Sequence, residues 1–171
     1  MNSTQFISLL QRQKQWSLLT FGPGEKIQSG IHHIRKELRE IQDSPHDPIE
    51  RIDIILLSMD RVWRTGCPFD YISKKYHELV LFSKGWRLVN LSTVELLDRM
   101  QKEKDTLGYV SIIFWLSMMR RMEEYLQSSF LDYTEEEIFW MVYAKQLVNF
   151  HRKWPAPVDE DICIEHIRDM E

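Results

Sequence analysis

Glu37 and Glu40 stand three positions apart, and Glu50 and Asp53 repeat that spacing a little further on. On a helix, an i, i+3 pair shares one face and lies close enough to share one ligand. Four carboxylates gathered in one place raise one another's pKa, and burial adds to the cost. Asp53 is the sharpest case, because Ile52, Ile54 and Ile55 surround it in the chain and an unpaired charge there is expensive. A hard divalent cation is the natural partner, with Mg²⁺ or Mn²⁺ favoured over zinc. Such ions retain water, recruit phosphate groups and make water more acidic.

Simpler readings exist for each residue. Glu37 and Glu40 could pair with Arg35, Lys36 or Arg39 on a solvated face. Glu50 could be a capping glutamate at N3. Asp53 could pair with an arginine.

The carboxylates are useful only if two helices present them together. Ile31, Ile34, Leu38 and Ile41 form a stripe of spacing three and four, which predicts a helix over 27–43. The segment DSPHDP (43–48) is a turn in which Asp47 can serve as N-cap and Pro48 as N1. The helix that follows runs to about Thr65, with Gly66 as C-cap. It is apolar on most sides, the mark of a central helix. A short turn makes the two helices antiparallel neighbours.

The rest of the chain also reads as helix. Residues 4–18 carry Phe6, Leu9 and Leu10 on one side, and FGPG (21–24) ends that element. A weaker helix covers 70–84. Ser92 with Glu95 starts one that reaches about Lys104. Another covers 109–130, and Thr134 with Glu137 starts one that ends near Trp154. A last short helix is predicted over 160–169. No segment alternates with period two, so few or no strands are expected.

Bulk properties exclude several classes. Hydrophobic residues make up 43% and charged residues 28% of 171 residues, which suits one globular domain. A net charge of -4 offers no basic footprint for nucleic acid. Cys67 and Cys163 lie far apart, so neither a zinc ribbon nor a disulfide framework is expected. The N-terminal residues lack the pattern of a signal peptide. The most apolar stretch, 109–119, is too short to cross a bilayer. A cytoplasmic protein is expected.

The E-x-x-E then E-x-x-D pattern resembles the MazG-like all-α nucleotide pyrophosphohydrolases. QWSLLTFGPG (15–24), IHHIRKELREI (31–41), the P-x-D-x-x-E-x-x-D run from Pro45 and MDRVWRTG (59–66) resemble a narrower group. That group is the MazZ-type phage and bacterial dATP/dGTP diphosphohydrolases. AKQLVNFHRKWP (144–155) and IEHIRD (164–169) resemble it too, so the similar blocks span about 11–66 and 134–169.

The resemblance implies a MazG-like helical bundle, a homodimer or homotetramer, and Mg²⁺ or Mn²⁺. It also implies cleavage of a (deoxy)nucleoside triphosphate to monophosphate and pyrophosphate. By position, Glu37, Glu40, Glu50 and Asp53 would be the metal and catalytic carboxylates. Lys145, Asn149 and Arg152 would contact phosphates, and their spacing of four and three puts them on one helix face. Gln13, Trp16 and Phe21 lie where a base pocket is expected, although Trp16 and Phe21 could equally pack the bundle.

The chain departs from the group at about 67–132, a helical insertion whose aromatic stripe (Tyr109, Phe114, Trp115) suits a core or an interface. The expected substrate is a purine nucleotide, dGTP or GTP before dATP. A dUTP-directed or house-cleaning enzyme and a non-catalytic helical interaction protein are the alternatives. His33, four residues before Glu37, could orient a carboxylate or lie on the surface. Asp60 could be a supplementary ligand or a partner of Arg64.

Overall fold

The computed structural model describes residues 1–82, 91–103, 111–158 and 161–167. Among them the fold is all-α, with no strand. The helices are α1 (Ser3–Phe21), α2 (Ile27–Asp43), α3 (Ile49–Arg64), α4 (Phe69–Phe82), α5 (Thr93–Glu103), α6 (Ser111–Leu126) and α7 (Glu135–His151).

Local chemistry sets the boundaries. α1 stops at Gly22, whose φ of 74° suits a residue without a Cβ. α3 starts one residue later than the turn pattern predicts. Pro48 takes the N-cap position, and Asp47 instead accepts the Ile49 N–H at 2.9 Å. Both capping boxes form as expected: Ser92 and Glu95 exchange bonds of 2.7 and 3.2 Å ahead of α5, and Thr134 pairs likewise with Glu137 ahead of α7.

α3 is the hub, packed most extensively on α6, then on α2, and touching α1 and α7. Its Ile52, Ile54, Ile55, Met59 and Val62 are fully buried, as a helix apolar on most sides requires. α2 and α3 run antiparallel. Glu37 and Glu40, late in α2, meet Glu50, early in α3, while Ser29 at the other end of α2 accepts from Arg61 Nη2 at 3.1 Å. Gly30 permits that approach, since a methyl group there would lie 3.0 Å from Arg61 Cγ and Cδ.

The segment 67–132 supplies part of this core rather than an appendage. Trp115 and Phe114 are buried on α6, and Tyr76 on α4 stacks on Phe6 of α1 at 4.2 Å. The stripe is therefore core at Phe114 and Trp115; Tyr109 lies outside the described residues. Glu123, fully buried on α6, is held by Arg120 at 2.7 Å and by the Tyr76 hydroxyl.

The short helix predicted over 160–169 is not formed in the described part, 161–167. That stretch is held by bonds to distant elements instead. Asp161 accepts the backbone N–H groups of Gln28 and Ser29 at 2.7 and 2.9 Å, and the Ile167 N–H donates to Lys153 O at 2.8 Å. An extended strap makes such bonds where a helix would turn its groups inward.

Candidate active site

One cavity of about 350 Å³ opens between α1, α2, α3, α7 and the C-terminal strap. Glu37, Glu40 and Glu50 line it, each offering one oxygen within 4.8 Å of the others. The Glu37 carboxyl is pushed up to about 9, first by burial, then by its hydrogen bond with Glu50 and the charges of Asp53 and Glu40. Lys36 Nζ reaches Glu40 at 3.9 Å, one of the simpler pairings the sequence allowed, and three hard oxygen donors this close to one another also fit a divalent cation.

Asp53 stands beside this trio rather than in it. Its carboxylate pairs with Lys145 Nζ at 2.8 Å, yet it remains near enough for its charge to raise Glu37. Burial pushes Asp53 upward, against the opposing pull of Lys145 and Arg152.

α7 and its end bring Lys145, Asn149 and Arg152 to the same cavity, Lys145 in contact with Asp53. All three predicted phosphate residues therefore share one cavity with the predicted carboxylates. Arg152 Nη1 donates to Asn149 Oδ1 at 3.0 Å. With its oxygen engaged there, the Asn149 amide nitrogen is the group left to donate outward.

The third wall is aromatic. Trp16 stacks on Phe150 at 4.9 Å and meets Phe21 and Trp154 edge-on at 5.2 and 5.7 Å. Trp16 and Phe21 thus do both things the sequence left open: they pack the bundle and line the cavity. Gln13 lines the cavity nearby and is almost wholly buried.

Asp60 is a salt-bridge residue. Its carboxylate accepts from Arg64 Nε at 2.9 Å, from Trp63 Nε1 at 3.0 Å and from Arg61 Nη1. Burial pushes its pKa up, but the two guanidinium charges outweigh burial and hold it below the usual carboxylate range. Arg64 also donates to Ser17 Oγ at 2.8 Å and to the carbonyls of Gly22 and Gly24 at 3.0 and 2.9 Å, tying the FGPG loop to α3.

The sequence reading missed Arg61, Arg64, Lys26 and Trp154 as cavity residues. The first two carried a signal. On a helix buried all round, charged residues such as Asp60, Arg61 and Arg64 must be paired. Lys26, at a left-handed φ of 54°, reaches Val158 O at 2.7 Å, a contact no local pattern announces.

His33 also lines the cavity, and its pKa is lowered to about 4, first by burial and then by the Arg61 charge. A neutral buried imidazole binds fewer protons than the unfolded chain below pH 6.5. Stability is therefore lost as pH falls from 6.5 toward 4. Between pH 7 and 5 the loss through His33 should be about 1–2 kcal/mol. Denaturant titrations of wild type and His33→Gln at both pH values isolate it, since the carboxylates titrate in both proteins. Equal losses in the two would show that the imidazole accepts a proton freely in the fold.

The cavity thus gathers carboxylates, cations and aromatic rings, with Lys145 in contact with Asp53. Residues 9–81 match the family model described as dATP/dGTP pyrophosphohydrolase. The match covers less than half of the chain and contains the carboxylates, but it stops short of α7. No curated protein and no solved structure matches the chain. No helix among the described residues is long and apolar enough to cross a membrane.

Proposed function

We propose that this protein hydrolyses a purine (deoxy)nucleoside triphosphate, dGTP or GTP first and dATP second, to the monophosphate and pyrophosphate. The observation that carries this reading is the carboxylate trio Glu37, Glu40 and Glu50 in one cavity with Lys145, Asn149 and Arg152. The likeness of residues 9–81 to dATP/dGTP pyrophosphohydrolases supports the same reaction.

Glu37, Glu40 and Glu50 would hold Mg²⁺ or Mn²⁺, with Asp53 completing the set once a cation displaces Lys145 from it. When bound, such an ion polarises phosphate oxygens and lowers the pKa of water. Lys145, released toward the substrate, and Arg152 would offset charge that develops on the phosphates. Asn149 would donate its amide hydrogens to a phosphate oxygen. Trp16, Phe21 and Trp154 would flank the base.

The resemblance also implies an assembly of two or more chains. Leu19, Trp140 and Val148, which are half or more exposed, are apolar surface that such an assembly could cover. We place the reaction in the cytoplasm.

The test is a substrate panel of the common dNTPs and NTPs with Mg²⁺ or Mn²⁺, with products resolved by chromatography. Monophosphate plus pyrophosphate from one or two purine substrates is the expected outcome. Preferred turnover of dUTP or indiscriminate turnover would put the chain among the alternatives of the same chemistry. Release of orthophosphate would overturn the bond assignment, and inactivity with both metals would favour a non-catalytic role.

A further inference from the structure

Gln146 is fully buried on α7, and its amide nitrogen donates twice: to the Leu9 carbonyl at 2.9 Å and to Gln13 Oε1 at 3.2 Å. The first bond fixes the orientation of the second. A carbonyl can only accept, so the nitrogen of Gln146, not its oxygen, must face Leu9. The other hydrogen of that nitrogen then faces Gln13, which must answer with its oxygen. Gln13 therefore has its oxygen turned toward Gln146, inside the bundle.

The Gln13 amide nitrogen donates to no acceptor among the described residues, and Gln13 lines the cavity. The group turned away from Gln146 is thus the NH₂, a donor, while the oxygen is directed into the bundle. The arrangement leaves Gln146 Oε1 buried with no hydrogen-bond partner. Such an orphaned acceptor is unfavourable, so the pair is not simply the best-satisfied packing of two glutamines.

A glutamine with both halves free reads adenine, accepting from N6 and donating to N7. Guanine instead offers two acceptors on that edge, O6 and N7. We infer that Gln146 is a positioning residue that locks Gln13 as a donor, and that the pair selects 6-oxopurine nucleotides over adenine nucleotides. The inference rests on the purine-nucleotide reading of the cavity, but not on hydrolysis.

The pair is tested by calorimetric titration of dGMP, dIMP and dAMP into the full chain with Mg²⁺ present. The wild type is expected to bind dGMP and dIMP on the order of tenfold or more tighter than dAMP. Gln13→Glu is isosteric and keeps the bond from Gln146 while turning the outward atom into an acceptor; it should reverse the order. Gln146→Leu frees the Gln13 oxygen and should bring the dGMP to dAMP ratio to within about threefold of one.

A wild type that prefers dAMP or shows no preference, or a ratio unmoved by Gln13→Glu and Gln146→Leu, would overturn the inference. A wild type that separates the bases as expected yet hydrolyses no triphosphate leaves this pair standing and removes the enzymatic reading. A triphosphatase whose base preference ignores both substitutions does the opposite.

Discussion

Glu37→Gln is expected to lower turnover on the order of a thousandfold and, in metal-free buffer, to leave the melting temperature unchanged or higher. The two effects have one origin. Glu37 shares a hydrogen bond with Glu50 and feels the charges of Asp53 and Glu40, which together with burial raise its carboxyl to about 9. An amide of the same shape keeps the hydrogen bond and removes a group that cannot ionise comfortably there.

Divalent cation reverses the comparison. A ligand that binds only the folded state adds about 2.7 kcal/mol at a hundred times its Kd. The wild type should gain that increment with Mg²⁺ or Mn²⁺, and Glu37→Gln should gain little of it. Thermal melts with and without metal, beside a chromatographic rate assay, give both readings. A Glu37→Gln protein that keeps its turnover and its metal-dependent rise in melting temperature would take Glu37 out of the metal set.

The largest stability effect is expected at Arg64, which lines the same cavity as the carboxylates. Arg64→Met should cost about 3–5 kcal/mol, the range for removing one partner of a buried charged network. The side chain is 1% exposed, and its guanidinium joins Asp60, Ser17, Gly22 O and Gly24 O. Methionine fills much of the volume and supplies none of the donors. Asp60 keeps Arg61 and Trp63 as partners, so the helix should persist while the 21–24 loop loses its anchor.

Urea denaturation measures the loss. Because the loop carries Phe21 into the aromatic wall, substrate KM should rise as well. A cost below about 1 kcal/mol would mean that water satisfies the loop carbonyls once the arginine is gone.

Much of this was legible in the residues themselves. The boundaries of α2, the two capping boxes and the centrality of α3 follow from local periodicity and local hydrogen bonds. So does the meeting of Glu37 and Glu40 with Glu50, because a short turn leaves two neighbouring helices little choice of orientation.

What stayed hidden depends on residues far apart in the chain. Nothing around Asp53 announces that Lys145 will sit 2.8 Å away. Nothing in 160–169 announces that Asp161 will satisfy the first N–H groups of α2. Helical spacing in that segment was real but weak, and tertiary bonds overrode it. The pairing of Gln13 with Gln146 is of the same kind, since two amides 133 positions apart leave no mark on either neighbourhood.

The Asp161 contact also bears on how the molecule comes into being. α2 has no side-chain cap of its own: Lys26 occupies the capping position in a left-handed conformation and contributes no such bond. The cap arrives from 132 to 133 positions downstream. During synthesis, an emerging chain that holds all four carboxylates still lacks the cationic wall of α7 and the bond that finishes α2. Closing so long a loop is a late and slow event. A nascent chain therefore passes through a stage in which its acidic residues are already made but the α7 residues of the cavity are not, and competence waits for α7 and Asp161.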